Sequence, residues 1–290
     1  MHAMKSAFQT VALIGKYMNP EMREQVLALA RYLLDRHVGV FIEEKTAKQS
    51  EITGYTTLHI NAIGAYADLA VVLGGDGTML TAARALVDYK IPLVGVNRGR
   101  FGFLTDLSSE SMLDAMERIL AGEFNIEQRM LLTASIIRNG EVISQGLAMN
   151  DVVVNKSGLS RLIELEINID GQFVHRQRSD GLILATPTGT TAYALSAGGP
   201  ILHPTLDAIA LVPIAPHTLS NRPIAINSAS KVEITLIHAE DAGVHFDGQL
   251  NMSIQQGDKV LVERAEKTVS LLHPLGHSHY DMLREKLHWG

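Results

Sequence analysis

The chain has 290 residues, 46% of them hydrophobic and 19% charged, which allows one large domain or two modest ones with a substantial core and gives no sign of disorder. A formal net charge of -6 without any Lys/Arg block argues against a nucleic-acid partner, and the absence of cysteine excludes disulfides, a thiolate nucleophile and a zinc–thiolate site. No apolar run approaches the ~18 residues of a membrane span, and the N-terminus lacks a signal-peptide core, so no membrane partner and a soluble, cytoplasmic protein are expected.

In chain order, Thr10 to Ile14 reads as a first strand ending at Gly15-Lys16. Asn19-Pro20 then reads as an N-cap followed by proline at the first helical position, and Met22, Val26, Leu29, Ala30, Leu33 and Leu34 give that helix one apolar face. Val38 to Ile42, Leu69 to Leu73 and, after Pro92, Leu93 to Val96 are further strands. Strands alternating with helices imply parallel pairing, so the first ~120 residues read as an open α/β (Rossmann-like) sheet, whose ligands sit beyond the carboxyl ends of the strands. Ser108 or Ser109 is the expected cap of a helix through Met112, Met116 and Ile119 that Gly122 stops.

After Gly122 the pattern changes. Leu131 to Ile137 and Val142 to Leu147 flank Asn139-Gly140, a strong hairpin signal, and Ile163 to Ile169 alternates up to a second hairpin turn at Asp170-Gly171. Gly181 to Ala185, Val232 to Ile237, Lys259 to Glu263 and Val269 to Leu272 are the remaining strand candidates, and Tyr280 to Leu287 reads as a helix. The fold class is therefore α/β: residues 1–123 form the α/β domain, 124–270 a β-rich domain, and 271–290 a tail whose helix returns to the first domain.

Two stretches point to chemistry. In Leu69 to Leu80 an apolar strand stops at Gly74-Gly75-Asp76-Gly77-Thr78, and Met79, Leu80, Ala83 and Leu86 then recur at helical spacing. Such a turn directs backbone amides and a helix dipole at an anion, and its glycines permit close approach. Asp76 would repel a phosphate, so it either accepts a proton or holds a cation, or it caps the helix; the turn leaves these readings evenly balanced. The second stretch runs through Ser179-Asp180-Gly181, Thr186-Pro187-Thr188-Gly189-Thr190-Thr191-Ala192-Tyr193 and Ser196-Ala197-Gly198-Gly199-Pro200. Its hydroxyls and amides suit a ribose, a purine edge or a phosphate, although threonines in loops also bond their own backbone.

These two stretches, with Asn97 to Thr105, Asn150-Asp151, Asp247-Gly248-Gln249 and Leu272-His273-Pro274, resemble the NAD kinase family in order and spacing over nearly the whole chain. The resemblance implies phosphorylation of the adenosine 2′-hydroxyl of NAD by ATP with Mg²⁺, NAD bound between two domains, and assembly as a homodimer or homotetramer. It makes Asp76 the catalytic base and assigns NAD contacts to Gly77, Asn150, Asp151, Arg161, Asp180, Thr191, Ala192, Tyr193, Ala194, Leu195, Ser196 and Gln249, with Tyr193 near the adenine. Arg178 resembles the basic residue of members that prefer NAD to NADH. Two departures stand out: Asp151 replaces the usual glutamate and is one methylene shorter, and Thr190 replaces a commoner serine.

Histidines 273, 277, 279 and 288 match no known metal spacing and show no acidic partner in sequence, so they read as a solvated or interface tail and no metal ligand is assigned. The competing functions are a non-catalytic NAD(P) sensor and a lipid or sugar kinase with the same glycine turn. A dehydrogenase is disfavoured, since no Gly-x-Gly-x-x-Gly follows the first strand.

Overall fold

A computed structural model describes residues 6–15, 20–97, 102–158, 161–218 and 220–289. The expectations placed on Lys16, Asn19 and Arg98 to Phe101 lie outside these residues. The chain divides into two compact units, Met1–Gln128 with Val269–Gly290, and Arg129–Thr268. Among the described residues no helix is long and apolar enough to cross a membrane.

The first unit alternates strand and helix: β1 (Thr10–Gly15), α1 (Pro20–Leu34), β2 (Gly39–Glu43), α2 (Glu44–Gln49), β3 (Thr56–Leu58), α3 (Ile60–Ile63), β4 (Leu69–Leu73), α4 (Asp76–Leu86), β5 (Leu93–Asn97), β6 (Leu107–Ser108) and α5 (Met112–Leu120). The strands pair in parallel in the order β3-β2-β1-β4-β5, with β6 beside β5. β1, β4 and β5 are buried almost throughout, as parallel strands covered on both faces must be. Val11, Leu13, Leu69, Val71, Val94 and Val96 pack with Val26, Leu29 and Leu33 of α1 and Met116 of α5. The α/β reading of this unit holds, with two corrections. The short α2, β3 and α3 carry too little apolar periodicity to be seen in sequence; buried Glu43 caps α2 by accepting the amides of Lys45 and Thr46 at 3.1 and 2.7 Å. Ser111, not Ser108 or Ser109, stands at the start of α5, and Ser108 bonds the Ser111 hydroxyl at 2.8 Å instead.

The second unit is antiparallel. β7 (Phe124–Arg138) and β8 (Glu141–Ala148) form the Asn139-Gly140 hairpin, whose turn residues have φ of 53° and 86°. β9 (Asp151–Lys156), β10 (Ile163–Ile169), β11 (Gln172–Ser179), β12 (Gly181–Ala185), the single-turn α6 (Tyr193–Ser196), β13 (Ala208–Ile214), β14 (Ile224–Asn227), β15 (Val232–His238), β16 (Ala242–Phe246), β17 (Leu250–Ile254) and β18 (Lys259–Pro274) follow. β10 pairs with both β11 and β15, and β15 with β18. A separate six-stranded sheet runs β14-β13-β12-β9-β16-β17. Val152, Val154, Leu182, Leu184, Val244 and Phe246 on one face of that sheet share a core with Leu132, Leu165, Ile167, Ile234 and Val262. β9, β13, β14, β16 and β17 were not read from sequence. Continuous apolar runs such as Val152-Val153-Val154 lack alternation, and Pro213 interrupts the strand signal of β13. The two strands expected at 259–263 and 269–272 are one, because the polar stretch between them stays extended, with Ala265 buried between exposed neighbours, rather than turning. The chain ends in α7 (His279–Leu287), capped by the Ser278 hydroxyl.

Candidate active site

In the first unit β4 runs into α4 through Gly74-Gly75. Gly75 is the N-cap and offers no side chain, while Asp76 stands in the first helical turn, so the reading of Asp76 as the helix cap is ruled out. Its carboxylate accepts the amides of Phe103 at 2.9 Å and Leu104 at 3.0 Å, one on each oxygen. The Thr105 hydroxyl lies 3.5 Å from Oδ1 and also accepts the Gly102 amide at 3.1 Å. Each carboxylate oxygen has two lone pairs, so this grip fixes the rotamer while leaving acceptor capacity for a proton. Two glycines make the grip possible. A Cβ on Gly95 would meet Leu104 O at 2.6 Å and Thr105 Cγ2 at 2.7 Å, and one on Gly102 would overlap Asp76 Oδ1. Gly77 follows in the same exposed turn.

The second unit holds a cavity of about 300 Å³, at the lower end of ligand-site volumes. Asn150, Asp151, Val153, Asn155, Ala192, Tyr193, His245, Asp247 and Gly248 line it. Register explains the assembly: Ala185 lies opposite Asp151 and Phe246 opposite Val152, so the start of β9 and the ends of β12 and β16 meet at one sheet edge. Asp151, Val153 and Asn155 share one face at period two, and His245 is the partner of Val153. Ala194 of α6 packs on that face with Val153, Ile183 and Val212.

Asp247 organises the cavity mouth. Its backbone is left-handed (φ 52°), as is Gly248 (φ 64°), and its carboxylate accepts the amides of Met149, Asn150 and Asp151 at 3.1, 2.7 and 3.2 Å. Burial, and secondarily the nearby Asp247 charge, push the Asp151 carboxyl up to about 7. Burial lowers the His245 imidazole, favouring its neutral form. The buried side-chain oxygens of Asn150 and Asn155 have no hydrogen-bond partner among the described residues, which marks them as acceptors for a ligand donor.

Of the residues assigned from sequence, the cavity thus gathers Asn150, Asp151, Ala192 and Tyr193, the last 44% exposed at its rim. The others are placed differently. Ala194 is a core residue with no exposure. The Thr191 hydroxyl bonds Thr188 O at 3.2 Å, and those of Thr186 and Thr190 bond Met149 O and Pro187 O at 2.6 Å each. These threonines donate to backbone oxygens and so build the turn, with hydroxyl lone pairs left to accept. Gly189 is required there, since its Cβ would overlap Asn150 O. Asp180 pairs with Lys156 at 2.8 Å. Arg161 is 88% exposed and 3.6 Å from Glu240; Arg178, Ser196 and Gln249 are exposed, and Leu195 is half-buried. Asn155, His245 and the organising role of Asp247 were missed. Only Asp247-Gly248, a turn dipeptide after the apolar Val244 and Phe246, carried a local signal.

The histidine tail needs correction. His273 is buried, its Nδ1 contacts Asp106 Oδ2, and its Nε2 is 3.7 Å from Glu127, so it is not solvated and does have acidic partners.

A glycine turn that presents a gripped carboxylate at a helix start, in a chain that also carries a polar cavity of amides, carboxyls and an aromatic ring, supplies the parts that a nucleotide-dependent phosphotransferase needs. Comparison with known proteins is specific. Residues 11–124 match the ATP-NAD kinase N-terminal domain and residues 149–273 the ATP-NAD kinase C-terminal domain. The chain is 53% identical over 287 residues to NAD kinase of Thiobacillus denitrificans and 49% identical over 287 residues to that of Laribacter hongkongensis, covering 99% of each chain in both cases. Its fold is similar to yeast NADH kinase complexed with NADH (TM-score 0.87, 26% identity, 96% of this chain and 86% of that one). It is also similar to an NAD kinase from Archaeoglobus fulgidus in complex with ATP (TM-score 0.76, 26% identity, 97% and 100%). The chain belongs to the NAD kinase family.

Proposed function

We propose that this chain, an NAD kinase that converts ATP and NAD to ADP and NADP, uses Asp76 as the general base for the adenosine 2′-hydroxyl. The observation that carries the assignment is the two-amide grip from Phe103 and Leu104, which aims a carboxylate at the start of α4 without using it as a cap. As the bond from the 2′-oxygen to the γ-phosphorus forms and the bond to the β,γ-bridging oxygen breaks, Asp76 takes the hydroxyl proton and ADP leaves. Such transfer rests mainly on positioning and electrostatics, and a positioned base adds roughly 10²–10⁴-fold. The Gly74 to Thr78 turn and the N-terminal end of α4 supply the partial positive charge for the phosphates.

The residues present fit a Mg²⁺ carried on ATP. Such an ion keeps several waters and would be held chiefly by the phosphates, leaving Asp76, the one acid of this turn, to the proton. When bound, it offsets phosphate charge. The cavity residues Asn150, Asp151, Asn155, His245 and Tyr193 are read as the NAD contacts, with the amides and carboxyl for hydroxyls and polar edges and Tyr193 for stacking on a base. Gly77, Asp180, the Thr191 to Ser196 turn, Arg161 and Gln249 remain assigned by the resemblance, and Arg178 as a preference for NAD over NADH. A homodimer or homotetramer would cover the exposed apolar side chains Val142 and Ile143 on β8 and Phe173 and Val174 on β11. The cytoplasm, where both nucleotides are abundant, is the compartment we assign.

The test is NADP formation from NAD and Mg-ATP, read through an NADP-specific dehydrogenase, with a lipid and a sugar offered as rival acceptors. NADP formation that the rivals do not diminish is expected. NAD binding without product would favour the sensor, and phosphate appearing on a rival would favour the other kinases.

A further inference from the structure

We propose that Asp106, His273 and His277 form a binding site for one transition-metal dication of the Zn²⁺ class, a site separate from the phosphate-borne Mg²⁺. Asp106 directly precedes β6, while His273 is the penultimate residue of β18. After Pro274 the chain reverses: Gly276 takes a left-handed backbone (φ 89°) and the His277 amide bonds Pro274 O at 3.2 Å. The reversal lays the His277 ring on the His273 ring, with centroids 4.2 Å apart and planes 16° apart. Both Nδ1 atoms then address the same carboxylate oxygen, Asp106 Oδ2, His277 from 3.3 Å and His273 in direct contact. One ligand atom from each of the three side chains lies within 4.8 Å of the other two.

The donor atoms converge closely enough for one ion to reach all three. Zinc bonds of ~2.0–2.1 Å at tetrahedral angles put ligand atoms about 3.3 Å apart, which is the His277–Asp106 separation, whereas His273 and Asp106 stand closer, in hydrogen-bond contact, and must part to admit the ion. Two imidazole nitrogens and one carboxylate oxygen form a donor set for Zn²⁺, Ni²⁺ or Co²⁺, and a poor one for Mg²⁺ or Ca²⁺. The far side of His273 is also arranged for it. Its Nε2 is buried without a hydrogen bond and faces Glu127 Oε2 at 3.7 Å. If Nδ1 gave a proton to Asp106, neutral His273 would turn a buried lone pair toward a carboxylate. With Nδ1 on a metal, the proton sits on Nε2 and points at Glu127, the carboxylate–histidine–metal arrangement that orients such ligands. The alternative without metal is the hydrogen bond between His273 and Asp106 alone.

Position gives the site a consequence. Asp106 follows directly on the Phe103 to Thr105 segment that grips Asp76, and His277 leads into α7. An ion here ties the C-terminal segment to the loop that aims the base. The ion itself is independent of the assignment of Asp76, because its test reads binding and not turnover.

The experiment uses the full chain freed of any affinity tag and stripped with a chelator, then dialysed against Zn²⁺ and separately Co²⁺, with elemental analysis and the Co²⁺ visible spectrum as readouts. The parent is expected to hold one ion per chain, and His277→Ala to bind at least about 10-fold more weakly, the scale set even by outer partners of metal ligands. His277 sits in a turn rather than the core, and an unchanged near-ultraviolet circular dichroism spectrum checks that this variant is folded. His203→Ala, half-buried and outside the cluster, is expected to bind like the parent. Uptake no greater than background in the parent, or equal uptake by His277→Ala, overturns the site and leaves the His273–Asp106 hydrogen bond.

Discussion

The glycine turn of the first unit and the cavity of the second are built in opposite ways. The turn is contiguous: Gly74, Gly75, Asp76, Gly77 and Thr78 adjoin in sequence, and one further segment, Gly102 to Thr105, completes the grip. The cavity is assembled by register, from the start of β9, the turn after β12 and the end of β16, with up to about a hundred residues between Asn150 and Gly248. One places a reacting atom through backbone amides; the other collects polar side chains whose identity sets what binds. Damage to the first should therefore appear in kcat, and damage to the second in the KM for NAD.

The largest effect is expected at Asp76, the proposed base. Asp76→Asn cannot take a proton and turns its NH2 toward one of the two gripping amides, so that one bond of the grip is lost as well; kcat should fall by at least roughly 10²–10⁴-fold in a steady-state assay. Next comes Gly102→Ala, whose added Cβ collides with Asp76 Oδ1 and displaces the carboxylate; turnover should drop by about 10²-fold at near-parental KM for NAD. Asn150→Ala removes a cavity acceptor and should raise the KM for NAD roughly 10-fold with kcat little changed, the value of about one hydrogen bond. A fall confined to kcat would erase the contrast between the two regions.

The smallest effect on turnover, though not on stability, is expected for Asp151→Asn. With its carboxyl pushed up to about 7 against an ordinary 3.8, the folded state holds a proton that the unfolded state has released, so this group costs stability progressively as pH rises between those values. The full cost is present above pH 7 and absent below pH 3.8. The melting temperature of Asp151→Asn relative to the parent should therefore climb from pH 4 to pH 8, and a pH-independent difference would show that Asp151 titrates normally.

The same contrast governs what could be read from sequence. Leu69 to Leu73 and the glycine turn were legible because a buried parallel strand, a break and a helix have local signatures. The Asn139-Gly140 and Asp170-Gly171 hairpins were legible because left-handed turns demand those residues. Asn155 and His245 were not, since their significance lies in facing one cavity across two strands that sequence did not pair. Asp106 and His273 were invisible as partners for the same reason: 167 residues separate them. The threonines of 186–191 were legible as a motif but not in role, because whether a hydroxyl turns to a ligand or to Met149 O depends on the packed turn.

The most direct test of the division between chemistry and binding is a calorimetric titration of NAD into Asp76→Asn protein beside the parent. The account expects matching dissociation constants, with NADP formation lost only in the variant. A dissociation constant weakened in proportion to the lost turnover would show that Asp76 holds NAD rather than activating it, and would contradict the assignment.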